Sequence, residues 1–419
     1  MKPRSLDRTR LELLPLAQRV SKTSIEQTAP DLSANPPPFP GDGAVLDDIA
    51  DAILRARAAG RPVILAFGAH LIKNGLGPLL RVLIEDGLVT HLATNGAGSI
   101  HDWEFAFQGK SEEDVRRYAA EGQFGLWDET GRYINLAVLL GAAEGLGYGE
   151  SVGRLIHTER LSVPELDDLA EDLERRLAAE LARQAAAAPG RESARASGPK
   201  ATSAGQTSTP SAPRTCAPSP AHNLLGGMAD LFTALRSFGG HCGVAPGQIE
   251  VKHPFKRYSV QEAAFAHGVP LTVHPGLGCD IIYTHPLNLF AAVGRCAEVD
   301  FLRFAATVAD LDGGVYLSVG SAIMSPMVFE KSLSMARNAA RAGGASDGRP
   351  CDFLIVVNDI QEGGSWRWGT GAEPPKSDPA YYLRFCKTFD RMGARQMRYV
   401  AADNRAFLLN LYRRLRDIA

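Results

Sequence analysis

The stretch from Val63 to Glu104 constrains what this chain can fold into more than any other. An apolar run, Val63 to Phe67, leads into a polar, glycine-bearing turn and an amphipathic segment. A second apolar run, His91 to Thr94, ends on the glycine turn Asn95 to Gly98. Short apolar runs joined through a helical pattern predict a parallel βαβ unit, because parallel strands need a crossover between them. In such units ligands sit beyond the carboxyl ends of the strands, where the backbone N–H groups of the next helix are free. His101, Asp102 and Glu104 follow the turn directly, so titratable side chains stand where a nucleotide-like ligand would bind.

The rhythm recurs. Strands are predicted at Val269–Val273, Val315–Val319, Phe353–Val357 and Gln396–Val400. Helices are predicted at Leu287–Gly294, Phe301–Asp310, Pro326–Ala340, Ala380–Met392 and Asn404–Arg416. Further helical stretches read at Val45–Ala59, Ser111–Ala120, Leu136–Leu146, Val163–Gln184, Leu224–Ser237 and Val260–His267. Strands alternating with helices predict an α/β fold, a doubly wound and largely parallel Rossmann-type sheet. Residues 1–43, polar and proline-rich, read as an N-terminal arm, and 44–419 as a single domain. Residues 185–221 are mostly Ala, Pro, Ser, Thr and Gly with little to bury. They are expected to be a disordered insertion, unable to offset the entropy of ordering.

A hydrophobic content of 45% suffices for a core, while a net charge of −2 gives no electrostatic case for nucleic acid or an anionic membrane as partner. The six cysteines show no CxxC pairing and read as reduced, mostly buried thiols. The N-terminal stretch lacks the apolar region of a secretory signal, and no run reaches the roughly 20 apolar residues of a bilayer span. A cytoplasmic protein is expected.

Three predicted strand ends carry glycine: Asn95–Gly98, Gly276–Gly278 and Gly320-Ser321. Glycine lets backbone N–H groups approach a phosphate, although βα turns also need it for their own geometry. Neither GxGxxG nor a Walker A pattern is present. His101 and Glu104 fall within one helical turn, and Asp102 reads as a cap. His274, Asp280 and His285 surround the second glycine turn. Their spacing matches no zinc motif, and Asp280 suits the counter-ion of a cationic ligand. Trp366 and Trp368 lie near Glu362 in a glycine-rich loop, a composition suited to an ammonium ligand, or equally to a packed lid or oligomer contact.

The segments Ala69–Val89, Thr94–Asp102, Ser259–Pro286, Gly313–Asn338, Cys351–Gly364 and Met397–Leu411, in that order, resemble deoxyhypusine synthase and its relatives. The resemblance implies one NAD-binding domain, assembly as a homotetramer, and NAD-dependent alkylamine transfer through an imine on a lysine. By matching position, Ala69, His70, Thr94, Asn95, Gly96, Gly320 and Ser321 would contact NAD, and the glycine turn adds Gly98. Asp280 and Glu362 would by the same matching contact the amine substrate, and the local readings add His285, Trp366 and Trp368. Two departures stand out. The loop Gly363–Arg367 lacks the family's aspartates, and no lysine follows a Trp-Gly pair. Lys387 is the nearest match for the imine lysine and Lys376 the second, with His274 or His101 moving the proton. The alternatives are a non-catalytic NAD-binding scaffold, and a metal-assisted hydrolase using His101, His274, Asp280 and His285.

Overall fold

The structure, a computed structural model, describes residues 4–187, 220–344, 348–364 and 366–418. The expected insertion 185–221 lies outside the described residues except at its two ends. Those ends are helical, belonging to Leu166–Ala187 and Pro220–Ala234.

Six strands, β1 (Val63–Phe67), β2 (His91–Thr94), β3 (Leu271–Val273), β4 (Val315–Val319), β5 (Leu354–Asp359) and β6 (Gln396–Ala401), pair side by side in the order β3-β2-β1-β4-β5-β6. Every pairing is parallel. The chain therefore builds outward from β1 to β3, then returns to the other side of β1 and builds outward again to β6. The direction reverses between β1 and β4, the topological switch point of a Rossmann-type sheet, beside which ligands bind in folds of this kind. Strands from both sides of residues 188–219 belong to this one sheet.

The central strands β1 and β4 are buried along their whole length because both faces are covered, whereas the edge strand β6 is exposed at its ends. Val63, Leu65 and Phe67 face one core, shared with Ile49 and Ile53 of the helix Gly43–Ala58 and with Phe407 and Leu411 of the helix Asn404–Ile418. Ile64 and Ala66 face the other core, with Phe304 and Val308 of the helix Phe290–Ala309 and Phe329 and Leu333 of the helix Met324–Ala342. The two helices expected at 287–294 and 301–310 are this one helix, Phe290–Ala309.

The N-terminal arm is bound to the domain. Ser21–Ser24 pairs antiparallel with Lys110–Glu113, so the segment expected to open a helix at Ser111 is instead a ribbon, and the helix starts at Val115 behind an Asp114 cap. The Arg8 guanidinium donates to the carbonyls of Tyr283, His285 and Asn288 and to Asn288 Oδ1. Cys242, Cys296 and Cys386 are buried, whereas Cys279 is exposed and Cys216 lies outside the described residues. Among the described residues, no helix is long and apolar enough to cross a membrane.

Candidate functional site

At the switch point, β1 and β4 run into Gly68 and Gly320. A Cβ on Gly68 would lie 2.1 Å from the Gly320 carbonyl oxygen, so the two backbones are in contact and a side chain cannot fit. Gly320 itself has φ +56°, with open space where a side chain would point. Ser321 Oγ accepts from the Ser325 N–H in the first turn of the helix Met324–Ala342. At the end of β5, Asn358 donates its side-chain amide to the carbonyls of Val400 and Ala402, and its Oδ1 is buried without a partner. Directly after Gly68, Ala69 is half-buried and His70 exposed.

The glycine turn after β2 is occupied by the chain itself. Thr94 Oγ1 donates to the Phe67 carbonyl, and Asn95 Oδ1 accepts from the Gly98 N–H as a helix cap. Gly98 leaves room for Thr94 Oγ1, which a Cβ would approach to 2.2 Å. Gly96 leaves room for Asp280, whose Oδ2 would be 2.2 Å from a Cβ there. The Asp280 carboxylate thus stands over the start of the helix Gly96–Gln108, where negative charge is favoured. A phosphate at Gly96 would have to displace it.

Next to this turn lies a cavity of about 230 Å³, lined among others by Arg19, Lys73, His101, Glu104, Glu112 and Asp280. These residues come from the arm, the segment after β1, the helix after β2, the ribbon, and the loop after β3. Arg19 grips Glu104 with both terminal nitrogens, at 2.7 and 2.8 Å, and both side chains are 1% exposed. Thr130 Oγ1 donates to Glu104 Oε1 at 3.0 Å, and Ser111 Oγ donates to Oε2 at 2.6 Å. Burial alone would raise the Glu104 pKa, but the adjoining guanidinium outweighs it and holds the carboxyl below its ordinary range.

Ser111 Oγ is also 2.7 Å from His101 Nδ1. Burial lowers the His101 pKa, so the ring is neutral at physiological pH. Lys73 Nζ lies 2.5 Å from Glu112 Oε1, and Thr23 Oγ1 donates to the other Glu112 oxygen at 2.7 Å. Glu112 is held with φ +68°, a backbone conformation that costs a non-glycine residue about 1–2 kcal/mol. Burial pushes the Asp280 carboxyl up to about 6, partly opposed by a 3.1 Å bond from the Tyr283 hydroxyl. Glu113, raised by burial, accepts from Trp127 Nε1 at 2.8 Å. Around the cavity Arg19 and Lys73 each pair with a carboxylate, Glu113 also feels the Arg19 charge, and Asp280 makes no ion pair among the described residues.

Of the residues expected from the sequence to share a site, the fold unites His101 and Asp280. His274 points elsewhere: its ring stands edge-on to Phe304 at 5.3 Å, with Nε2 3.1 Å from Thr272 Oγ1, and burial lowers its pKa to about 4. His285 is 1% exposed, accepts from the Leu287 N–H on Nδ1 and reaches Asp128 with Nε2. It is a structural residue rather than a substrate contact, because burial and these two bonds consume its ring. Trp368 is buried in the second core, with Trp366 packed against it, so of the readings open for this loop the structure favours packing over an ammonium cage. Glu362 is exposed. The Lys387 ammonium lies over the Tyr381 ring, 4.0 Å from its centroid, outside the residues that line the cavity, and Lys376 is exposed. Asp102 does not cap its own helix, which Asn95 caps; from inside that helix it holds the start of the helix Val260–Ala266. It accepts from the Val260 and Gln261 N–H groups and from the Ser259 hydroxyl. Among the described residues, no group of three or more His, Cys, Asp or Glu side chains is arranged to hold a metal ion.

No family model and no curated protein matches this chain. Among solved structures it is similar to the arginine dihydrolase ArgZ of the cyanobacterial ornithine–ammonia cycle, with 12% identity, TM-score 0.38, and coverage of 90% of this chain and 33% of that one. It is similar to a conserved LOR/SDH protein from Methanococcus maripaludis S2, with 12% identity, TM-score 0.38, and coverage of 92% and 74%. It is also similar to AgrE in its ternary complex with ornithine and NAD+, with 13% identity, TM-score 0.39, and coverage of 90% and 33%. The chain spans about a third of the length of ArgZ and AgrE. Likenesses this slight carry no argument about activity.

Proposed function

We propose that this chain is an NAD-dependent enzyme acting on an amine substrate, with chemistry of the deoxyhypusine synthase type. The observation that carries the proposal is the charge around the cavity. The half-buried Asp280 carboxyl makes no ion pair among the described residues, and it lines the cavity together with the neutral imidazole of His101. A buried carboxylate without a cation favours a ligand that brings one.

The switch point between β1 and β4 has features that suit NAD: the Gly68–Gly320 contact, the open side of Gly320, and the unpartnered Asn358 Oδ1 as an acceptor for a hydroxyl. NAD bound there would supply a hydride acceptor for the carbon next to the substrate nitrogen. Asp280 would hold the substrate ammonium, and His101 would take up a proton released from it. For the lysine imine of a transfer reaction, Lys73 is the lysine beside His101 and Asp280. It would have to give its proton to Glu112 to act as a nucleophile. That resting ion pair is the feature that favours the second reading, a non-catalytic NAD-binding protein.

The test is incubation of the purified protein with NAD and a panel of di- and polyamines, following NADH absorbance and amine products by mass spectrometry. Turnover of an amine is expected. NAD binding without turnover of any amine would leave the scaffold reading, and no NAD binding would end both.

A further inference from the structure

The N-terminal arm has so far figured as packing. One of its side chains does more. Glu104 is fully buried, and Arg19 keeps it ionised, so its oxygens can only accept hydrogen bonds. The Ser111 hydroxyl is 2.6 Å from Glu104 Oε2 and must direct its single proton there. Ser111 Oγ then has only lone pairs to offer His101 Nδ1, 2.7 Å away, and Nδ1 must carry the hydrogen. A neutral imidazole has one N–H, so Nε2 is bare. Nδ1 is taken by Ser111, and Nε2 is the ring nitrogen left for a ligand in the cavity that His101 lines.

We propose that Arg19, acting through Glu104 and Ser111, fixes the tautomer of His101 and so makes Nε2 the basic atom of this cavity. Arg19 is a positioning residue, and it touches no ligand. The use of that base in catalysis rests on the enzyme reading above, whereas the tautomer itself does not. The relay runs in one direction because it begins at a fixed positive charge. Were Glu104 neutral, the Ser111 proton could turn toward His101 and both tautomers would be open to the ring.

The relay is read directly from the ring-nitrogen chemical shifts of [15N]histidine-labelled full-length protein, with His101 assigned by its loss in His101→Gln. The wild type should show His101 neutral, protonated on Nδ1 alone. Ser111→Ala, which leaves the Arg19–Glu104 pair in place, should release the ring to a mixture of tautomers or to Nε2–H. Thr130→Ala removes the other hydroxyl on Glu104 and should change nothing at His101. The double variant Arg19→Gln/Glu104→Gln removes both charges together, avoiding a lone buried ion, and should also release the tautomer. Near-UV circular dichroism checks that each variant is folded. A wild-type His101 protonated on Nε2, or a Ser111→Ala or double-variant spectrum identical to wild type, would overturn the proposal. In amine-dependent NADH formation, Ser111→Ala should lower kcat tenfold or more with little change in KM. The expected tautomer in a protein that turns over no amine would uphold the relay and reject the enzyme reading.

Discussion

The carboxylate of Asp280 occupies the space that any side chain at Gly96 would need, 2.2 Å from where its Cβ would be. The loop after β3 thereby reaches across β2 and covers the start of the helix Gly96–Gln108. The glycine is there for the chain's own carboxylate, and that carboxylate borders the cavity.

Asp280 should make the protein pH-sensitive in a defined direction. Its folded pKa of about 6 lies above the 3.8 of a free aspartate, so between these the native state holds a proton that the unfolded chain has released. Its contribution to stability therefore worsens as pH rises from about 4 through 6. Asp280→Asn should remove that slope and, at pH 8, recover at most about 3 kcal/mol by urea denaturation. The same variant should weaken binding of a diamine at pH 8 by tenfold or more. It should also abolish the gain in affinity that the wild type shows as pH rises through 6.

Removing Arg19 alone leaves Glu104 charged and buried. Arg19→Ala should cost about 3–5 kcal/mol in urea unfolding. Arg19→Met combined with Glu104→Leu should recover most of this loss, since no ion is then stranded. A double variant no more stable than the single one would mean the pair contributes packing that neither replacement restores.

The two glycines of the switch point should fail for different reasons. Gly68→Ala forces a Cβ against the Gly320 carbonyl and should cost about 1–3 kcal/mol or more through displaced backbone. Gly320→Ala meets open space and should cost only the conformational penalty of positive φ, about 1 kcal/mol. Both are read from thermal or urea midpoints. NADH fluorescence titration should show the larger loss of affinity for Gly68→Ala.

The two lysines separate just as cleanly. Lys73→Ala should lower amine-dependent NADH formation at least a hundredfold. Lys387→Ala should leave it within twofold and cost at most about 1 kcal/mol of stability, the worth of an ammonium over an aromatic ring. Steady-state kcat for the two variants decides between the lysines, and a dead Lys387→Ala would restore that residue to the site.

The limits of β1, β2 and β4 were legible because strands buried on both faces are mostly apolar and end at glycine-bearing turns. His101 and Asp280 were legible because each follows a glycine turn at a strand end. Ser111 was misread, since Ser-Glu-Glu-Asp signals a helix start, and only the pairing with Ser21–Ser24 makes it a ribbon. Arg19 and Lys73 carried no local signal. Arg19 meets its partner 85 positions away, and one arginine in a polar arm looks like any solvated charge. Trp366 and Trp368 misled in the opposite sense, because a tryptophan among glycines suggests a ligand while here it fills a core.

Arg8 binds residues that lie 275 to 280 positions further along the chain. A chain still emerging from the ribosome has made this clasp's first half long before its second exists. The Arg8 end of the arm therefore stays unpaired until Asn288 has left the tunnel. Arg19 finds its partner Glu104 far earlier, so the relay end of the arm can dock while the clasp end is still free.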